Sequence, residues 1–403
     1  MKRSFLLLLT IVVVLAVSIG GFAQDQSSPA AGRIVAPPSS LGQVPGIASR
    51  THLLIFIPDE KLPPNSYPAN AETAGSIACI YGVTPLTTGC PRNGSPIATG
   101  GAKAIAVVDY GVYPQLQTDI DFFSDHFGLP RVTVTQICSC GACPNSAGTG
   151  WDVETALDVE WSHAMAPNAQ IILSSFCSDP FTEIPGAETL AGQAVASAGG
   201  GEVSNSFGYG GEDPSELSWD QYMQIPSVVY FTSAGDSGLG PDYPSVSPYS
   251  VSAGGTRVIR DGSGNFNGVE NCWTDSGGGI SQYEARPLYQ AILGNIAGAK
   301  RGTPDMSADA DPNSGVGVYV RGSWEQVGGT SVSSPVLAGI TNAAGGFQTS
   351  TFNELTKTYG EFRLPGVYHK EWFDVVTGNN GAPAKFGWDE CTGIGSPRKQ
   401  AGL

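Results

Sequence analysis

Apolar and polar positions change rhythm several times along the chain. Lys2 and Arg3 precede an apolar run from Phe5 to Val17, and small residues follow up to Ala23. A basic start, a short apolar stretch and a small-residue end predict a secretory signal peptide cleaved after Ala23. The run falls short of the roughly 20 apolar residues that span a bilayer, so no membrane association is expected once it is removed. From Gln24 to about Arg50 the chain is rich in Ser, Pro, Gly and Ala with little periodicity, which predicts a flexible or extended segment. Leu53 to Ile57 reads as a short strand.

Beyond Gly101 the pattern becomes an alternation. Ala104 to Val108, bounded by Lys103 and Asp109, has the short continuous apolar character of a buried parallel strand. Leu116 to Phe127 then predicts a helix, Arg131 to Gln136 a strand, Trp151 to Ala166 a helix stopped by Pro167, and Ile171 to Ser174 another strand. Val228 to Thr232 and Val316 to Val320 share the same β-branched or aromatic character. Strands alternating with helices predict an α/β fold, a mostly parallel sheet with helices on both faces. In such sheets the functional site belongs at the carboxyl ends of the strands.

Composition narrows the function. Charged residues are only 14% of the 403, Gly numbers 54 and Pro 29, and acids outnumber bases 36 to 20 for a net charge of -16. Loss of the signal with Lys2 and Arg3 takes this to -18. Nucleic acid is a poor partner for such a chain, since its recognition needs a basic face. The eight cysteines all follow the signal, and an even count in an exported chain favours disulfides. Cys79 and Cys90 are close enough to staple one loop. The Cys138, Cys140 and Cys143 cluster could instead hold a metal, but structural zinc wants four ligands and no histidine is nearby in sequence.

The string Gly328-Gly329-Thr330-Ser331-Val332-Ser333-Ser334-Pro335 runs into the apolar segment Val336 to Ile340. A serine there stands at a helix N-terminus, where free backbone N–H groups and the positive dipole end can stabilise an oxyanion. An isolated Gly-Thr-Ser would ordinarily be an N-cap. The full string is more specific and is similar to the nucleophile motif of the subtilisin-like superfamily. A histidine in a Gly-rich segment should accompany it, yet the four histidines, His52, His126, His163 and His369, lack that setting. Each is expected to be a surface or structural residue. Glu154 and Asp158 offer a different base: four apart, they share one helix face, and two close carboxylates can hold a shared proton in mild acid. Apolar Val153, Ala156, Leu157 and Val159 around them predict a substantially buried helix rather than a solvated acidic face.

From about Gly100 to Pro397 the chain resembles the sedolisin family of serine-carboxyl peptidases. The resemblance implies a subtilisin-like fold, Ser331 as nucleophile, Glu154 as general base, Asp158 as its orienting partner, and Asp236, in Thr232-Ser233-Ala234-Gly235-Asp236-Ser237-Gly238, as an oxyanion-site acid. An ionised Asp236 would repel the oxyanion, so it must be protonated and activity confined to acid. Asp109 stands where a supporting acid would extend the hydrogen-bond network. Ser204 to Gly208 resembles the substrate-lining segment, with Phe207 in place of the usual Trp; Gly277 to Ser281 resembles another family loop of no assigned chemistry. Asp374 and Asp389, with the carbonyls of Val375, Lys385 and Gly387, resemble the family's single structural Ca2+ site, an oxygen-only set suited to a hard cation; Lys385 replaces the common Gly. The implied organisation is a signal at 1–23, an extension at 24–99 that is short for the family's prodomain, and a catalytic domain at 100–403. A secreted, monomeric endopeptidase acting on polypeptides follows. The rivals are an exported, calcium-stabilised binding protein that lost turnover, and an ordinary Ser-His-Asp subtilisin.

Overall fold

The alternation of short apolar strands with helices condenses into one large sheet flanked on both faces. The computed structural model describes residues 31–398 apart from 62, 64 and 179, so the expected signal peptide lies outside the described residues. The chain enters through β1 (Gly32–Val35), β2 (Arg50–Thr51), β3 (Leu54–Pro58) and α1 (Ala74–Ile80). It then alternates through β4 (Ala104–Tyr110), α2 (Leu116–Phe127), β5 (Thr135–Cys138), α3 (Trp151–Met165), β6 (Gln170–Phe176), α4 (Pro180–Ser197), β7 (Gly201–Asn205), β8 (Phe207–Gly208) and β9 (Val228–Ser233). Strands β10 (Val251–Arg260), β11 (Phe266–Cys272), β12 (Gly279–Ala285), β13 (Lys300–Thr303), β14 (Met306–Asp309), β15 (Val316–Val320) and β16 (Ser323–Gly328) lead to α5 (Thr330–Ala344), α6 (Thr351–Phe362) and α7 (Pro365–Glu371).

The main sheet runs β11-β10-β9-β7-β4-β6-β5, with β14 also on β10, and is parallel except for β11. Strand alternation divides the core. Ile105 and Val107 of β4 face α3 and α5, while Ala104, Ala106 and Val108 pack on the Ala187, Ala191 and Val195 stripe of α4. By the same alternation Asp109 falls on the α3 side.

Two expectations shift. Val316–Val320 is not in the parallel sheet: β15 and β16 are joined through Arg321 and Gly322, at φ 54° and 73°, a two-residue turn that forces antiparallel pairing. With β3 and β1 they form a second, four-stranded sheet in the order β1-β3-β16-β15. The strand expected over Arg131–Gln136 begins only at Thr135, because the Gln117 side chain bonds the Val132 carbonyl (2.9 Å) and the Val134 N–H (3.1 Å) in place of a neighbouring strand. All eight cysteines form disulfides: Cys79–Cys90, Cys138–Cys143, Cys140–Cys177 and Cys272–Cys391. Cys177, distant in sequence, completes the cluster that had invited a metal. No helix among the described residues is long and apolar enough to cross a membrane.

Candidate active site

Ser331 is the second residue of α5, where helical geometry leaves N–H groups without intrahelical acceptors. Gly329 immediately before it sits at φ 103°, a conformation that L side chains rarely adopt. Four residues on, Pro335 has no N–H to return to the Ser331 carbonyl. The Ser206 hydroxyl lies 3.3 Å from that carbonyl, tying the nucleophile turn to the segment between β7 and β8. The Ser331 hydroxyl in turn donates to the Ser206 carbonyl at 3.2 Å.

The carboxylates come from α3 and the strand ends beside it. All 15 residues of α3 are buried, because the sheet, α2, α5 and β15 enclose it. Glu154 and Asp158 are thus held in a solvent-free layer facing α5. Asp158 accepts the Ser206 hydroxyl at 2.7 Å through Oδ1, while its Oδ2 and both Glu154 oxygens close no hydrogen bond. Burial pushes the Glu154 carboxyl well above its ordinary value, with the charges of Asp158 and Asp109 adding to it; the nearby Ser331 hydroxyl acts in the opposite sense. Asp158 is raised by burial and by Asp109, and Asp109, wholly buried, is pushed up to about 7 by desolvation, with the nearby Thr155 hydroxyl acting in the opposite sense. Such a cluster keeps protons into a pH range where ordinary carboxyls have lost them.

Asp236 approaches the same turn from the loop after β9. Its Oδ1 accepts the Thr330 N–H at 2.8 Å and the Thr330 hydroxyl at 2.9 Å, while Oδ2 is buried without a partner. Burial pushes its carboxyl up to about 6, against the His52 charge and the two Thr330 bonds, which lower it. Neighbouring strands β4, β7 and β9 therefore deliver Asp109, Ser206 and Asp236 from their carboxyl ends to one place. The sequence-predicted Ser331, Glu154, Asp158, Asp236 and Asp109 converge, and the 204–208 segment lies beside them. The 277–281 loop approaches too, with Gly277 N–H donating to the Gly235 carbonyl at 2.7 Å.

Of the histidines expected to be surface or structural residues, one lies in the cleft. His126 stacks on Tyr67 and His163 bonds the Pro130 carbonyl at 2.8 Å, both structural, but His52 lies in the cleft. Strand β2 pairs antiparallel with β8, Arg50 opposite Gly208 and Thr51 opposite Phe207. The His52 N–H donates to the Ser206 carbonyl at 3.3 Å, and the His52 carbonyl accepts the Ser331 N–H at 3.0 Å. A Cβ on Gly329 would collide with both that carbonyl oxygen and Asp236 Oδ2, so the two oxygens crowd one small space. No sequence pattern marked His52, since its backbone carries the contact. The surrounding cleft, about 540 Å³, is lined by Arg50 to Leu54, Asp236 to Asp242 and neighbouring loops.

A second oxygen cluster lies near the C-terminus. Asp374 accepts the Gly387 N–H at 3.1 and 3.2 Å, and Asp389 accepts Lys385 N–H at 2.9 Å and Thr392 N–H at 2.8 Å. Burial raises both carboxyls. Among the described residues neither has an ion pair, and the carbonyls of Val375, Lys385 and Gly387 accept no hydrogen bond. Two carboxylates and three unsatisfied carbonyls form a donor set that fits a hard cation.

No family model matches the chain. Kumamolisin of Bacillus sp. (strain MN-32) is 28% identical over 335 residues, covering 74% of this chain and 59% of that protein. Sedolisin of Pseudomonas sp. (strain 101) is 26% identical over 355 residues, covering 75% and 57%, and tripeptidyl-peptidase 1 of Dictyostelium discoideum is 26% identical over 323 residues, covering 70% and 50%. The chain thus spans about half to three-fifths of the length of these curated relatives. The structure of Pseudomonas sedolisin, a serine-carboxyl proteinase complexed with two molecules of pseudo-iodotyrostatin, superposes with TM-score 0.65 at 22% identity, covering 82% of this chain and 96% of that one. The fold is therefore the subtilisin-like fold of the sedolisins.

Proposed function

We propose that this homologue of the sedolisins is a secreted serine-carboxyl endopeptidase that hydrolyses polypeptides in acid through an acyl-enzyme. The observation that carries it is the convergence of three fully buried carboxyls, Asp109, Glu154 and Asp158, and the partly buried Asp236 on a serine at a helix N-terminus, with no arginine or lysine paired to any of them among the described residues. Ser331 attacks the substrate carbonyl as Glu154, in the fraction of molecules where it is ionised, takes the serine proton. Asp158 faces Glu154 within the same buried layer, and its charge favours the protonated form of Glu154 as the proton arrives. The developing oxyanion meets the Ser331 N–H, which has no acceptor within α5 and here points at the His52 carbonyl, and Asp236, whose protonated Oδ2 donates a second hydrogen bond. Glu154 then returns the proton to the leaving amine, and the same groups activate water for deacylation.

Proton occupancy sets the pH limit. Asp236 donates only while protonated, so turnover falls as pH rises through about 6. The calcium expected from the resemblance would be held by Asp374, Asp389 and the carbonyls of Val375, Lys385 and Gly387, far in sequence from Ser331. It would supply charge neutralisation and loop order, with no part in the proton transfers. Export agrees with four disulfides, which persist in oxidising compartments.

The test is cleavage of a denatured protein between pH 2 and 7 by the wild type and Ser331→Ala. Wild type is expected to cut in acid only, and Ser331→Ala to lose on the order of 10⁵-fold or more. Undiminished activity in Ser331→Ala would overturn the proposal. Activity peaking at neutral pH would point instead to histidine chemistry.

A further inference from the structure

Two disulfides at the β5 edge of the main sheet lie sulfur against sulfur. Cys138 ends β5 opposite Ser175 of β6, Cys177 follows the end of β6, and Cys140 and Cys143 sit on the loop that leads into α3. Across the two bridges, Cys177 Sγ is 3.2 Å from Cys143 Sγ and 3.5 Å from Cys138 Sγ, and Cys138 Sγ is 3.6 Å from Cys140 Sγ. All four sulfurs fall within 4.8 Å of one another, the one such group of metal-ligating side chains among the described residues. A zinc ion with four thiolates at about 2.3 Å stands in a tetrahedron whose edges are about 3.8 Å, so the contacts between the bridges are within about 0.6 Å of that spacing. Only the two bonded pairs have to part. Three cysteines close in sequence lacked a fourth ligand; the fold supplies it as Cys177.

The backbone around the sulfurs is fixed by other means. Ser139 N–H donates to the Ser175 carbonyl at 2.9 Å, Val112 N–H to the Pro144 carbonyl at 2.7 Å, and Ser146 N–H to the Val112 carbonyl at 3.0 Å. Glu183 accepts the Cys177 and Ser178 N–H groups at 3.0 and 2.9 Å. Opening the bridges therefore leaves the four thiols facing one another. Access also sets this cluster apart: Cys140 is exposed and its three neighbours are half-buried, whereas Cys79, Cys90, Cys272 and Cys391 are at most 5% exposed. A reductant in solution reaches the cluster first.

We propose that Cys138, Cys140, Cys143 and Cys177 form a redox-gated metal site, two disulfides when oxidised and a tetrahedral thiolate cage for one zinc-class ion when reduced. It stands apart from the chemistry at Ser331. Two dithiol molecules each pass two electrons and two protons to one disulfide, freeing four thiols and leaving two oxidised dithiols. Zn2+ then binds the four thiolates as their four protons pass to solvent. Two peroxide molecules reverse it: they take four electrons from the thiolates and, with four protons, become four waters as both disulfides re-form and the ion leaves. In either state the cluster fastens the loop leading into α3, and so the helix that carries Glu154, to the end of β6. Only the reduced, metal-free state releases it.

The purified full chain is treated with a dithiol at about pH 7.5, desalted without air, and titrated with Co2+ and then Zn2+ while far-UV circular dichroism follows the fold. Four free thiols are expected, with one Co2+ bound per chain, the visible bands of a tetrahedral thiolate site, and their bleaching as Zn2+ takes its place. Zinc affinity should be tighter than about 1 µM. The Cys138→Ser, Cys143→Ser double variant keeps the Cys140–Cys177 bridge for folding but only two ligands, and its reduced form should bind zinc more than about a hundredfold more weakly, beyond the cost of losing an outer-shell partner. If reduction loosens the fold, Zn2+ should restore the dichroism of the wild type and not that of the double variant. Cluster disulfides that open only in denaturant, a Co2+ spectrum without tetrahedral thiolate bands, or undiminished binding in the double variant would each overturn the proposal.

Discussion

Buried carboxylates occur in two settings in this protein, and the contrast separates scaffold from chemistry. Asp305 is clamped by Arg301 through bonds of 2.8 and 2.6 Å and also accepts Ser252 N–H and the Tyr359 hydroxyl. Glu72 is held by Arg260 and Arg92, with Ser76 donating at 2.7 Å. Both acids are fully buried, and each has a guanidinium as its counter-charge. Around Ser331 the arrangement is reversed. Among the described residues no arginine or lysine pairs with Glu154, Asp158, Asp109 or Asp236, and several of their oxygens have no partner at all. A cation holds a buried carboxylate ionised and still; without one, the low-dielectric interior makes the group keep a proton that it can lend. Lack of a cation is not sufficient for chemistry. Glu188 is also buried, with both oxygens unpartnered and its carboxyl pushed up to about 8 by burial, but it lies on α4, on the opposite face of the sheet from α3 and α5.

The sharpest way to break the contrast is to neutralise one acid in each setting. Glu154→Gln, which keeps shape and removes the base, should lower kcat on the order of 10³-fold or more and leave the melting temperature unchanged or raised. Arg301→Met should do the opposite: strand the Asp305 charge, cost about 3–5 kcal/mol of stability, and leave the folded fraction with normal kcat. Equal losses of activity and stability in both variants would erase the distinction.

Next in size is the response of stability to pH. Burial raises Glu188 and Glu202 to about 8, Glu354 and Asp109 to about 7 and Asp236 to about 6. A carboxyl raised in the folded state contributes stability that is fully present below its ordinary value near 4 and is lost as pH climbs through the folded one. Buried His163, pushed down to about 4, works the other way as pH falls, but it is one group against several. Thermal unfolding should therefore occur roughly 10 °C higher at pH 4.5 than at pH 8. A flat profile would mean that these acids have cations or water as partners.

The smallest effect concerns the C-terminal oxygen cluster, which resembles the active cluster in lacking a cation but should acquire one. Millimolar Ca2+ against a chelator should raise the melting temperature by about 2–5 °C at pH 6, and by less at pH 3.5, where protons compete for Asp374 and Asp389. Equal behaviour of an Asp374→Asn, Asp389→Asn double variant with and without Ca2+ would be the matching control.

Much of this was legible in the chain. Short apolar strands between helices predicted the parallel sheet, because a strand buried on both faces has no polar side to show. Ser331 followed from its helix N-terminus, and the Glu154–Asp158 pair from i, i+4 spacing within apolar neighbours. Other features escaped for definable reasons. The β15–β16 hairpin was misplaced because Arg321-Gly322 is an uncommon pair for a positive-φ turn, and the strand start at Thr135 depended on one glutamine side chain.

Linear order by itself determined which chemical groups exist, the alternation of most strands and helices, and that Glu154 and Asp158 share one face of a buried helix. The tertiary structure alone decided which acids lack a cation, that Cys177 joins Cys140, and that a histidine dismissed by its neighbours in sequence lays its carbonyl on the Ser331 N–H. The reason is physical. Propensity and periodicity act between residues a few positions apart, whereas desolvation, charge pairing and the filling of an oxyanion site depend on segments hundreds of residues apart that meet only when the core closes.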